Sequence, residues 1–254
     1  MSTQPKAGYP EAVRAELLKF FTVRSTVVVT AVLAAALPAL ALIVAATESL
    51  QPDDTILGAS VLGGAVIAQV LAASLGATLV TGEYRTGMVL GTLTACPRRL
   101  VVLAAKATVA AAVTFTVLVP SSAAAHLIGV LLLDGDRYAT GEPFPALIGI
   151  AAAIASIAAL GVGIGTIVRH SAGAVAAVVG VVLLPGLFAP LLGDVQRWIG
   201  GASLNGVLQK LTQSSDATHE AVGSLGPWPS LAVVAAYTTA TVLGAVWVLR
   251  HRDI

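Results

Sequence analysis

Few side chains in this 254-residue sequence are able to do chemistry, and they stand far apart. Ser121, Ser122 and His126 supply a nucleophile and a base, but a serine and a histidine five residues apart do not share a helical face, so a dyad is poorly supported. His126 reads instead as a neutral interhelical hydrogen-bonder. Gln69 and His126 are the weaker candidates for lining a substrate path, because polar groups within apolar segments mark such paths. Glu83 is a lone acid beside Tyr84 and Arg85, with two readings: a solvated carboxylate paired with Arg85 or Arg98, or a carboxylate that holds the following connection in place. The single cysteine, Cys96, excludes an intramolecular disulfide, and four scattered histidines suggest no metal site. No Gly-rich loop ends in Gly-Lys-Ser or Gly-Lys-Thr, since every lysine is followed by Ala, Phe or Leu, so no ATPase is expected on this chain. HExxH is absent too, and no catalytic residue is assigned.

The elements that hold these residues follow from composition. Hydrophobic residues make up 57% of the chain and charged residues 11%, where a soluble domain carries about 25% charged. The mean hydropathy of +0.91 points the same way. The expected class is therefore an all-α polytopic membrane protein. The net charge of +1 argues against a nucleic-acid partner. Six stretches free of Asp, Glu, Lys and Arg (25–47, 55–82, 107–133, 143–168, 170–193 and 221–249) are each long enough for a helix across about 30 Å of hydrocarbon. Trimmed, they predict spans at about 26–47, 56–80, 107–131, 146–168, 173–192 and 230–249, after an N-terminal segment 1–25 and before a tail 250–254. The first is too long for the core of a signal peptide and reads as a retained helix.

Lys and Arg set the orientation. With the N-terminus inside, six spans place 11 of the basic residues on the inner side and leave only Arg137, Arg197 and Lys210 outside. Acids reverse the split, with Glu11, Glu16, Glu83 and Asp253 inside and nine outside. Both termini are expected in the cytoplasm, and the chain in the cell membrane.

Three shorter features remain. Residues 10–24 predict a helix on the inner surface, with Val13, Leu17, Phe20 and Phe21 on one apolar face and Glu11, Arg14 and Lys19 off it. The connection 82–106, GEYRTGMVLGTLTACPRRLVVLAAK, predicts a short helix that stops before Pro97. In the outer connection 193–229, Val195, Trp198, Ile199, Leu208 and Leu211 suggest amphipathic helix, and LLPGLFAPLLG before it suggests a chain that dips and returns. Gly161 and Gly165 form a GxxxG step for close helix packing, and Pro38 and Pro120 are tolerated kinks.

Over its full length the sequence resembles the permease subunits of type-2 ABC transporters. The resemblance rests on six spans with both ends inside, the amphipathic stretch ELLKFFTVRST, and the pattern Glu83, Gly91–Thr92, Pro97–Arg98 and Lys106 in the second-to-third connection. Short re-entrant helices between spans five and six are also similar. The resemblance implies a coupling helix at 84–97 seated in a groove of a separate cytoplasmic ATPase subunit. Its ATPase-coupling residues would be Glu83, Tyr84, Arg85, Thr86, Gly87, Gly91, Thr92, Pro97 and Arg98. The helix at 10–24 would be a second contact, and Glu83 would fix the coupling helix. It also implies a second permease subunit, identical or different, and ATP with Mg on the ATPase, none on this chain. Function by this route is export through a non-catalytic permease. The competing readings are a membrane scaffold or sensor, and, less favoured, an intramembrane hydrolase using Ser121 or Ser122 with His126.

Overall fold

The computed structural model describes residues 8–47, 50, 53–88, 91 and 98–251. Among the described residues the chain is helical, with no strand. Helix α1 (Tyr9–Thr22) leads into α2 (Arg24–Thr47), with α3 (Ile56–Thr86), α4 (Arg99–Leu132), α5 (Pro143–Val168) and α6 (Ser171–Phe188) following. After two 3-10 turns come the short helices α7 (Gln196–Ala202), α8 (Leu204–Leu211) and α9 (His219–Val222), then α10 (Pro227–His251). Six helices are long and apolar enough to cross a membrane: α2 to α6 and the last segment, which includes α10. The chain has the build of a multi-pass membrane protein.

Local chemistry starts and stops these helices. Glu11 accepts the Gly8 backbone N–H at 2.9 Å, which satisfies one of the orphan donors at the start of α1. Thr55 caps α3 by accepting from the Gly58 N–H at 2.9 Å. Gly87, at φ 70°, ends α3 in the left-handed region that glycine enters without steric cost. Two helices run past the charge-free stretches that betray them in sequence. α3 continues through Glu83 to Thr86, and α4 starts eight residues earlier than the sequence suggested, so that it contains Lys106.

Helices α3 and α5 are the hub. They pack on each other along their length, with α4 across both. α2 covers α3 and α4, α6 covers α3 and α5, and α10 covers α5 and α4. Small residues permit the closest approach. A Cβ on Gly76 would collide with the Ala158 carbonyl oxygen, one on Gly161 with that of Ala73, and one on Gly165 with that of Ala77. Gly161 and Gly165 thus face α3 as a GxxxG seam, whereas Gly163 faces Thr241 of α10. The outer spans α2, α6 and α10 leave most of their apolar surface uncovered.

Successive spans alternate in direction, so the bundle has two chemically different ends. At one, the starts of α2, α4 and α6 meet the ends of α3, α5 and α10. Arg99 there donates to the Leu249 carbonyl oxygen, and the Arg169 guanidinium lies 5.5 Å from the centre of the Tyr84 ring. At the other end the connections interlock. The Ile56 N–H donates to Ala139 O at 2.8 Å, Gln213 Nε2 donates to Glu142 O at 3.2 Å, and Ser215 bonds Asp54 at 2.6 Å. There α8 folds back onto α5 and α10, burying Leu204, Val207, Leu208 and Leu211 at helical spacing while Trp198 stays exposed.

Candidate functional site

Four charges close a ring at the basic end of the bundle. Helix α1 supplies Glu16 and Lys19, one turn apart; α3 supplies Glu83 and α4 supplies Lys106. Lys106 Nζ lies 2.5 Å from Glu16 Oε2 and 2.9 Å from Glu83 Oε1. Lys19 Nζ lies 2.9 Å from Glu16 Oε1 and 3.0 Å from the same Glu83 oxygen. Each ammonium therefore bridges both carboxylates, and opposite signs alternate around the ring.

The burial explains why the ring must be complete. Glu16, Glu83 and Lys106 are 7%, 8% and 5% exposed, and only Lys19 reaches solvent appreciably. Moving one ion out of water costs several kcal/mol, which mutual attraction offsets only when every charge has a partner of opposite sign. Two acids against two bases leave the ring neutral. Burial alone would lower the Lys19 pKa, but hydrogen bonds and charge from Glu16 and Glu83 outweigh it and raise Lys19 above its usual 10.5.

The ring also decides which face of α1 is buried. Ala12, Glu16 and Phe20 point inward, and the Tyr9 and Thr108 hydroxyls share a hydrogen bond of 2.7 Å between α1 and α4. Of the apolar stripe Val13, Leu17, Phe20 and Phe21, part turns to the bundle and part away from it. Phe20 is buried and Val13 packs beside it, but Leu17 and Phe21 are exposed. Lys19, off the apolar stripe in sequence, is in the ring. The carboxylate–ammonium contacts of the ring set the rotation of α1, because the acid at Glu16 must face Lys106.

Glu83 meets neither Arg85 nor Arg98, the partners expected for a solvated carboxylate. Its partners are Lys19 and Lys106. Tyr84, Arg85 and Thr86 form the last turn of α3 rather than the beginning of a separate helix, and Gly87 is its cap. Gly91 is helical, and Arg98 precedes α4 as its N-cap. Thr92 and Pro97, with most of the expected coupling segment, lie outside the described residues.

A half-open cavity of about 480 Å³ lies against the ring, between the α1–α2 junction and α3. Gln69 and His126 line no part of it. Gln69 is fully buried in α3, and its amide oxygen and nitrogen make no hydrogen bond among the described residues. The serines are used by the backbone. Ser121 donates to the Ala34 carbonyl oxygen at 2.7 Å, and Ser122 donates to Val119 O at 3.1 Å. Ser122, four residues from His126 and so on its helical face, thus spends its hydroxyl elsewhere, and His126 Nδ1 has no partner among the described residues.

Sequence reasoning missed Glu16 as a ring member and gave Lys106 no partner. The available signal was reciprocal: an acid a turn inside the end of one apolar helix and a base two turns inside the next, each too costly to bury alone. Compared with known proteins, the chain matches no family model and no curated sequence.

Proposed function

We propose that this chain is the membrane-spanning permease subunit of an ATP-binding cassette exporter, moved by a separate cytoplasmic ATPase subunit. The observation that carries this reading is the charged ring, which ties α1 to both limbs of the connection between α3 and α4. A push on that connection is delivered to Glu83 and Lys106, and through them to α1 as one body. That is the mechanical requirement of a subunit that hydrolyses nothing itself. ATP and Mg belong to the partner.

The end that carries the ring holds Arg24, Arg85, Arg99, Arg169 and Arg250, whereas Asp53, Asp54, Asp134 and Asp136 lie at the other. That asymmetry supports a cytoplasmic ring, both termini inside and residence in the cell membrane. Helix α1, with Leu17, Leu18 and Phe21 turned away from the bundle, then lies at the inner membrane face. The uncovered apolar faces of α2, α6 and α10 are taken up by lipid and by a second permease subunit.

The test is reconstitution with a P-loop ATPase that co-purifies with the chain. Glu83→Gln is expected to keep ATP hydrolysis and lose at least ten-fold of transport. Full transport in that variant, or after residues 88–97 are replaced by an unrelated helix, would overturn the reading.

A further inference from the structure

The cavity beside the ring has a graded wall. Along α3, Leu75, Thr78, Leu79, Gly82, Glu83 and Thr86 fall on one helical stripe that faces it. The α1–α2 junction closes the opposite side with Phe20, Thr26 and Val29. From Leu75 to Thr86 the stripe runs about 17 Å along the helix axis, at 1.5 Å per residue. Its deep half is apolar, and its end is polar and charged. Two openings are evident in the exposure pattern: one at the helix end, at Arg85 and Thr86, and one sideways, at Thr78, eight residues before the end of the spanning helix α3. A sideways opening in a membrane-spanning helix faces hydrocarbon.

The charges at the polar end are unbalanced. Three cations (Lys19, Arg85 and Lys106) line the cavity against two carboxylates, Glu16 and Glu83. The ring consumes two lysines and two acids, so Arg85 is the surplus. Its guanidinium makes no hydrogen bond or ion pair among the described residues, and neither does the Ser25 hydroxyl across the cavity. A surplus guanidinium with nearby hydroxyls at the mouth of an apolar groove matches one phosphate with a hydrocarbon chain behind it.

We infer that this groove holds one anionic phospholipid, with its phosphate on Arg85 and Ser25 and an acyl chain along Leu75, Leu79, Phe20 and Val29. A resident lipid there wedges the α1–α2 junction against α3 and completes the wall around the ring. The inference stands whether or not an ATPase drives the chain.

The purified full chain, delipidated in a neutral maltoside detergent, is titrated with phosphatidylglycerol or with phosphatidylcholine of the same acyl chains, and retained lipid is counted by native mass spectrometry. One phosphatidylglycerol is expected to be retained at a concentration at least ten-fold below that needed for phosphatidylcholine. Arg85→Gln reduces this preference to less than three-fold. Gly82→Leu is the second variant: a Cβ at Gly82 meets nothing within 4 Å, so the new side chain enters the groove without strain and lipid retention is lost. Inorganic phosphate distinguishes the two sources of a phosphate group. If it protects against thermal unfolding as well as phosphatidylglycerol does, the groove takes a free anion and the proposal falls. Equal retention of the two lipids, or retention unchanged in both variants, overturns it as well.

Discussion

Ser121 on α4 repairs what Pro38 removes from α2. Proline has no N–H, so the carbonyl of Ala34, four residues earlier, has no partner within its own helix. The Ser121 hydroxyl donates to that oxygen at 2.7 Å and joins the two spans where α2 would otherwise hold a bare polar group in apolar surroundings. Ser121→Ala is expected to cost about 1–2 kcal/mol, the penalty of an unsatisfied buried acceptor. In a Pro38→Ala background, where the helix closes its own bond, the same change costs markedly less. A double-mutant cycle on thermal unfolding in detergent reads the difference, and equal costs in both backgrounds would show that the pairing has no energetic weight.

Removing one member of the ring strands another. Lys106→Met leaves Glu16 and Glu83 sharing only Lys19, and the expected loss is about 3–5 kcal/mol. Lys106→Met combined with Glu83→Leu removes one charge of each sign and keeps Glu16 paired with Lys19, so it is expected to be less destabilised than the single variant. Unfolding midpoints of the three proteins check the order.

The ring sets a limit at alkaline pH. Lys19 is raised above 10.5, so its contribution to stability is fully present below that value and is lost as the pH climbs through the raised pKa. The gap in melting temperature between the native chain and Lys19→Met is expected to be constant from pH 7 to about 10 and to shrink above that. A gap that shrinks on acidification from pH 7 instead would assign the effect to another group.

Close packing at the hub makes some glycines irreplaceable and others neutral. Gly76→Ala places a methyl group against the Ala158 carbonyl and must push α3 from α5, whereas Gly244 in α10 has open space around it. Gly76→Ala is expected to lose most of the monodisperse protein in size-exclusion chromatography. Gly244→Ala is expected to be neutral or to gain about 0.5–1 kcal/mol from reduced backbone freedom. Similar yields of the two variants would contradict the seam between α3 and α5.

Much of this architecture is legible in the residue order. Charge-free stretches locate six helices, because a charge at mid-span is costly, and Gly161 with Gly165 announces a close crossing by spacing alone. The candidate site is legible only in fragments. Glu83 stands out as a lone acid, but its partners lie 64 and 23 residues away in sequence, and no helical period links them. The α1 pattern does not single out the bundle-facing residues either, since Glu16 faces in beside Phe20 while Leu17 and Phe21 face out.

Legible along the chain is whatever depends on the solvent each residue needs: which stretches can span as helices, how many such spans there are, and how the charges divide between two ends. Which charges meet is settled in the packed fold alone. Glu16, Lys19, Glu83 and Lys106 come from three helices, and their pairing depends on how those helices rotate and slide against one another. Solvent preference is a property of each residue and can be read along the chain. Pairing between distant residues is a property of packing, and it exists only once the small residues of α3 and α5 have fixed how closely the spans approach.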